Sequence, residues 1–118
     1  MARTLQNYLR TYRKRAGLSQ DEVAFLLGCG TEAVVSRYEN GARRPSLETV
    51  LTYQVVLGIS AHELFRGLFQ KVEKEARERA QILAEGLRQA KPNPRISRKL
   101  NTLAAIASPA FSNPDDHS

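Results

Sequence analysis

Leu5, Tyr8, Leu9 and Tyr12 recur at three- and four-residue spacing, which predicts an amphipathic helix closing at Gly17, a residue that takes the left-handed conformation without strain. Ser19-Gln20-Asp21-Glu22 is a hydroxyl cap with a glutamate three residues on, the pattern of a capping box, and it opens a second helix that Gly28 ends after Leu27. Thr31 is the next cap, for a helix through Glu39 that Asn40-Gly41 terminates. Pro45-Ser46-Leu47 starts a fourth, on which Leu47, Val50, Leu51, Gln54 and Leu57 are expected to share a face before Gly58 stops it. Ser60 with Glu63 reads as a second capping box for a fifth helix, with Leu64 and Phe65 turned inward. No strand-like alternation occurs, so the expected class is all-α: five short helices within residues 1–68.

Beyond Gly67 the pattern changes. QKVEKEARERAQILAEGLRQAK is a charged helix over about 69–91, with Val72, Ala76, Ala80, Leu83 and Leu87 as its apolar stripe. Pro92 and Pro94 are expected to break it. Within 92–118, Ile96, Leu100, Leu103 and Ala107 predict a short helix over about 97–107, and SPAFSNPDDHS is expected to be a disordered tail.

Composition narrows the class. A chain of 118 residues accommodates one domain and an appendage. A single cysteine forms no internal disulfide, and no Cys/His cluster suggests a metal site, so a reducing cytoplasm and no cofactor are expected. The opening MARTLQNYLR lacks an apolar signal core, and no apolar run reaches membrane-spanning length. Cys29 in a tight turn reads as a small apolar plug, and His62 and His117 as isolated surface residues. No nucleophile, base and orienting group form a recognisable set, so no enzyme is expected and no catalytic residue is assigned.

Net charge is +6, and the excess is concentrated. Arg3, Arg10, Arg13, Lys14, Arg15, Arg37, Arg43 and Arg44 precede Ser46 against only Asp21, Glu22, Glu32 and Glu39. A basic surface there suits a polyanion, although charge alone is equally compatible with a solvated face.

The geometry of the second and third helices sharpens the choice. A Gly28-Cys29-Gly30 turn between two short helices is the spacing of a helix-turn-helix, whose second helix enters the major groove of B-DNA. Ala24 is small where the helices should cross, Val23 and Leu27 point to the core, and Val35 with Tyr38 forms the buried side of the second helix. Glu32, Ala33, Ser36 and Arg37 lie on the other side.

RKRAGLSQDEVAFLLG together with SRYENGARRPSLETV resembles the Cro and phage-repressor-like (XRE) family of helix-turn-helix regulators, over about Leu5 to Phe65. The resemblance implies a five-helix DNA-binding domain with a recognition helix at about Thr31–Glu39. It also implies base contacts from Glu32, Ala33 and Arg37. Their chemistry permits this: arginine binds guanine O6 and N7, glutamate accepts from cytosine N4, and alanine touches a thymine methyl. Glu32 has an alternative role in neutralising the helix N-terminus. Contacts to the DNA backbone are implied for Gln20, Thr31, Ser36, Asn40, Arg43 and Arg44, with Gln20 also bracing the recognition helix. Arg13 and Glu39 occupy positions that the family commonly joins in a partly buried, structural ion pair.

Three features depart from the family pattern. Gly30 is one residue more than is usual before the recognition helix, which bears on the register of the base-reading side chains. Phe25-Leu26 and Val55 are apolar where exposed residues are expected, so something should cover them. The C-terminal helix is expected either to dimerise or to pack back on the domain, since the interleaved acids of EKEARER suit a solvated face better than a membrane. The resulting expectation is a sequence-specific regulator of transcription, most simply a repressor, binding double-stranded DNA as a homodimer. The alternative is an antitoxin-like module whose Phe25/Leu26 face and C-terminal helices bind a partner protein.

Overall fold

The computed structural model describes residues 6–108, which form seven α-helices and, among the described residues, no strand. In chain order these are α1 (Leu9–Arg15), α2 (Gln20–Leu27), α3 (Glu32–Glu39), α4 (Leu47–Leu57), α5 (Ala61–Leu64), α6 (Arg66–Arg88) and α7 (Pro94–Ala107). The expectations for Leu5, His117 and a disordered tail lie outside or mostly outside the described residues. Among the described residues no helix is long and apolar enough to cross a membrane. The chain divides between Phe69 and Gln70 into two compact units.

Local signals set the helix ends of the first unit. Ser19 Oγ accepts from Glu22 N at 3.1 Å while Glu22 Oε1 accepts from Ser19 N at 2.8 Å, completing the capping box of α2. Ser46 caps α4 in the simpler way, accepting from Thr49 N at 3.2 Å. Ser60 likewise accepts from Glu63 N at 3.1 Å, but the expected box on α5 is not closed. The Glu63 carboxylate turns instead to Arg66 and to Tyr12, whose hydroxyl donates to it at 2.7 Å. That contact ties α5 to α1 across 51 residues of sequence.

The core of this unit is built from Leu9, Val23, Ala24, Val35, Tyr38, Tyr53, Leu64 and Phe65. Leu27, Cys29, Val50, Leu57 and Leu68 pack against it, so Cys29 fills the angle between α2 and α3. The inward face of α4 differs from the expected one. Tyr53 is fully buried and its ring meets Tyr38 edge-on at 6.2 Å, whereas Leu47 and Leu51 are exposed. The reason is angular: on α4, Val50, Tyr53 and Leu57 fall at spacings of three and four, and this row meets the core. Its neighbour Leu47-Leu51-Val55, at spacings of four, is left outside. His62 is half-buried rather than free on the surface, stacked on Phe69 at 3.8 Å.

The second unit is a helical hairpin. Ala80 and Ala84 of α6 pack on Leu103 of α7, with Leu87 and Leu100 alongside, and Arg77 Nε donates to the Ile106 carbonyl at 3.2 Å. Contact of Arg77, midway along α6, with Ile106, near the end of α7, together with the short link after Arg88, makes the helices antiparallel. The stripe that meets α7 therefore runs through Ala84, and Leu83 and Val72 of the expected stripe are exposed. α7 begins earlier than expected, at Pro94. Asn93 accepts from Ile96 N at 2.9 Å as its cap, and proline occupies the first helical position, where no N–H is needed.

Candidate functional site

The turn between α2 and α3 is made by Gly28 and Gly30, both with positive φ (73° and 83°), a region that residues with a side chain enter only with strain. Gly30 thus takes a backbone conformation in the turn that suits a glycine. Gly28 N donates to Phe25 O at 3.1 Å and Cys29 N to Ala24 O at 3.1 Å, which closes α2 and redirects the chain. Thr31 then caps α3, its hydroxyl accepting from Val34 N at 3.4 Å.

On α3, Val35 and Tyr38 are buried, and this orients everything else on the helix. Ala33 and Arg37, one turn apart, stand opposite the core and are exposed; Glu32 is exposed in the first turn, and Ser36 is half-buried beside it. Among the described residues Glu32 and Arg37 make no side-chain ion pair.

The C-terminal end of α3 is closed by paired bonds: Gly41 N donates to Tyr38 O at 3.2 Å and Ala42 N to Arg37 O at 2.9 Å. Arg43 N also reaches the Arg37 carbonyl, at 3.2 Å, and Asn40 Oδ1 accepts from Ala42 N at 2.9 Å. Backbone bonding to Arg37 therefore holds the loop that carries Arg43 and Arg44. The Arg43 guanidinium lies over the Tyr38 ring at 5.8 Å, which limits where its charge can go. Both loop arginines are exposed.

Three helices are joined beneath this surface. Arg13 of α1 meets Glu39 of α3, with Nε to Oε2 at 2.5 Å and Nη2 to Oε1 at 3.2 Å, and its third nitrogen donates to Leu18 O at 3.0 Å. Gln20 Nε2 of α2 donates to the same Glu39 Oε1 at 3.1 Å. Asn7 adds a tether by donating from Nδ2 to Tyr38 O at 2.9 Å. The side chains of Arg13 and Glu39 are only 10% and 4% exposed, so this polar network works in a dry environment where each bond is strong and an unpaired member is costly.

Above the network lies an open polar cleft of ≈ 300 Å³ lined by Arg10, Arg13, Gln20, Ser36, Glu39 and Asn40. Gln20, Ser36 and Asn40 are thus brought together, while Thr31, Glu32 and Ala33 lie at the opposite end of α3 and Arg43 and Arg44 beyond it. Arg10 belongs to this group, although sequence reasoning did not single it out. The signal was present: Arg10 is three residues before Arg13 and so lies on the same side of α1. With Arg13 neutralised by Glu39, Arg10 is the exposed cation of the cleft.

No curated protein and no solved structure matches the chain. A family model described as a helix-turn-helix domain matches residues 5–65, more than half of the 118. That span contains the turn at Gly28–Gly30, the exposed edge of α3 and the polar network beneath it, and the chain belongs to the helix-turn-helix domain family.

Proposed function

We propose that the protein is a sequence-specific DNA-binding regulator of transcription, of the Cro and phage-repressor-like kind, with α3 as its recognition helix and with no enzymatic activity. One observation carries the reading: α3 buries Val35 and Tyr38 and leaves Ala33 and Arg37 on the opposite side, in solvent. An α-helix with its side chains is about 10–12 Å across, which matches a major groove about 12 Å wide. In this reading Arg37 binds a guanine, Ala33 meets a thymine methyl, and Glu32 either accepts from a cytosine or serves only the helix terminus. Arg10, Gln20, Ser36 and Asn40 around the cleft, Thr31 at the cap, and Arg43 and Arg44 in the loop hold phosphates. The Arg13–Glu39 pair is structural.

A homodimer acting as a repressor in the cytoplasm completes the proposal. Leu47, Leu51 and Val55 support it as an exposed apolar stripe along α4, the kind of surface that association covers. A two-fold dimer would recognise a near-palindromic operator with half-sites about 34 Å apart or a multiple of that. Selection of bound fragments from random duplex DNA, followed by footprinting, tests symmetry, spacing and the binding itself. Absence of binding to every duplex at low ionic strength would overturn the proposal.

A second reading is favoured by α2. Phe25 is 83% exposed, and with Leu18, Asp21, Glu22 and Leu26 it lines an open apolar groove of ≈ 380 Å³. An antitoxin-like module would use that groove to hold a partner protein. Copurification of a stoichiometric partner, retained when Arg37, Arg43 and Arg44 are all changed to alanine and lost on Phe25→Ser, would support this reading.

A further inference from the structure

The two helices of the C-terminal hairpin differ in their acids: α6 carries four glutamates among its cations, and α7 carries none. Cations on α6 are interleaved with acids, and most are paired: Arg66 with Glu63, Arg77 with Glu73 at 2.9 Å, Arg88 with Glu85 at 2.9 Å, and Lys71 with Glu75 at 3.9 Å. Lys74 and Arg79 make no ion pair among the described residues but have Glu73, Glu75 and Glu78 beside them in sequence. After Glu85 the next acid in the chain is Asp115. The intervening stretch carries Arg88, Lys91, Arg95, Arg98 and Lys99, and all but the first are left without an ion pair among the described residues. All four unpaired cations are exposed.

Their placement on α7 makes the excess local. Arg98 and Lys99 are three and four residues after Arg95, so the three charges are neighbours on one side of the helix. Like charges at these spacings destabilise a helix, and Arg95 in the first turn also opposes the positive end of the helix dipole. Lys91 precedes the Asn93 cap in the link between the helices and adds to the same end of the hairpin. Two unfavourable choices in one short segment, with no compensating carboxylate among the described residues, are what a surface built for an external anion looks like.

We infer that Lys91, Arg95, Arg98 and Lys99 form a second phosphate-contacting surface for duplex DNA, separate from the helix-turn-helix. The inference rests on the DNA-binding reading above and extends it to the second unit. DNA is favoured over an anionic membrane because the leucines of α7 that follow these cations are already engaged. Leu100 and Leu103 pack on Ala80, Ala84 and Leu87, and the residues among the cations, Ser97, Asn101 and Thr102, are polar. A helix lying in a lipid interface needs a free apolar face to insert.

The test compares the full chain with a K91Q/R95Q/R98Q/K99Q variant, titrated against a random-sequence duplex across a salt series. Glutamine preserves helix propensity, and circular dichroism checks that the helices remain. The slope of log K against log salt should become shallower by about 0.9 for each phosphate no longer neutralised, so by roughly 2 to 4 in all, and R95K/R98K should retain the parental slope. Equal slopes for parent and glutamine variant, with both still binding DNA, would overturn the inference and leave the helix-turn-helix reading standing. Failure of the parent to bind any duplex would remove both. Loss of binding to phosphatidylserine vesicles in the variant, with DNA titrations unchanged, would assign the surface to a membrane and overturn the inference.

Discussion

Arg13 and Glu39, 26 residues apart in sequence, meet through two hydrogen bonds in a nearly solvent-free contact, and Gln20 donates to the same carboxylate. Helix α3 is thereby tied to both preceding helices at its C-terminal end. Arg13→Ala leaves the Glu39 charge buried without its cation and is expected to destabilise the first unit by about 3–5 kcal/mol. All four tyrosines, at 8, 12, 38 and 53, lie in that unit, so urea unfolding followed by tyrosine fluorescence reports on it. Arg13→Met with Glu39→Leu should recover much of the loss. A single Arg13→Ala variant within about 0.5 kcal/mol of the parent would show that the pair is not holding the helices together.

Tyr53 is fully buried, and its hydroxyl has no hydrogen-bond partner among the described residues. Burial, reinforced by the nearby Glu39 carboxylate, pushes its phenol far above the ordinary range. Tyr53→Phe keeps the ring on Tyr38 and removes the orphaned group, and should raise stability by about 1 kcal/mol. A clear loss of stability in the same unfolding assay would mean that the hydroxyl is satisfied in solution.

Glu63 is held below the ordinary carboxylate value of 4.5, first by Arg66 and then by the Tyr12 hydroxyl. A depressed folded value means that its contribution to stability is full above about pH 4.5 and fades as pH falls through the lower, folded value. The Tyr12 phenol is raised above 10.0 by its bond to Glu63, so its share persists below that pH and is lost as pH rises through the folded value. Glu63→Gln should therefore lower stability at pH 7 and differ progressively less from the parent below pH 4.5. A stability difference that stays constant from about pH 7 to about pH 3 would rule out the Arg66 and Tyr12 contacts as its source.

Arg37 and Arg43 should fail differently. Arg37→Ala is expected to relax preference at one base pair, by about 1–3 kcal/mol, and to leave affinity for random DNA largely unchanged. Arg43→Ala and Arg10→Ala should weaken all sequences alike and make the salt dependence shallower by about 0.9 each. Titrations of an operator and a scrambled duplex separate the two patterns; equal losses on both for Arg37→Ala would remove it from the base-reading set.

Local chemistry determined much of this protein. Glycines at 17, 28, 41 and 58 and the hydroxyl caps at 19, 31, 46 and 60 act within a few residues of themselves, and each lies at the helix end that the sequence predicts. The exposed edge of α3 was legible for the same reason, because the burial of Val35 and Tyr38 leaves Ala33 and Arg37 one position to face. Tertiary structure alone decided among competing partners and competing rows. Leu47-Leu51-Val55 and Val50-Tyr53-Leu57 are both apolar rows on α4, and only the packing of the other helices selects the second. Glu63 had a local acceptor role in a capping box and gave it up for Arg66 and for a tyrosine 51 residues away. Arg10 joined the polar cleft because α1 is set against α3 by the Arg13–Glu39 pair. Sequence spacing limits the neighbours a side chain can reach along its own helix; which of them it uses depends on what the rest of the chain brings within bonding distance.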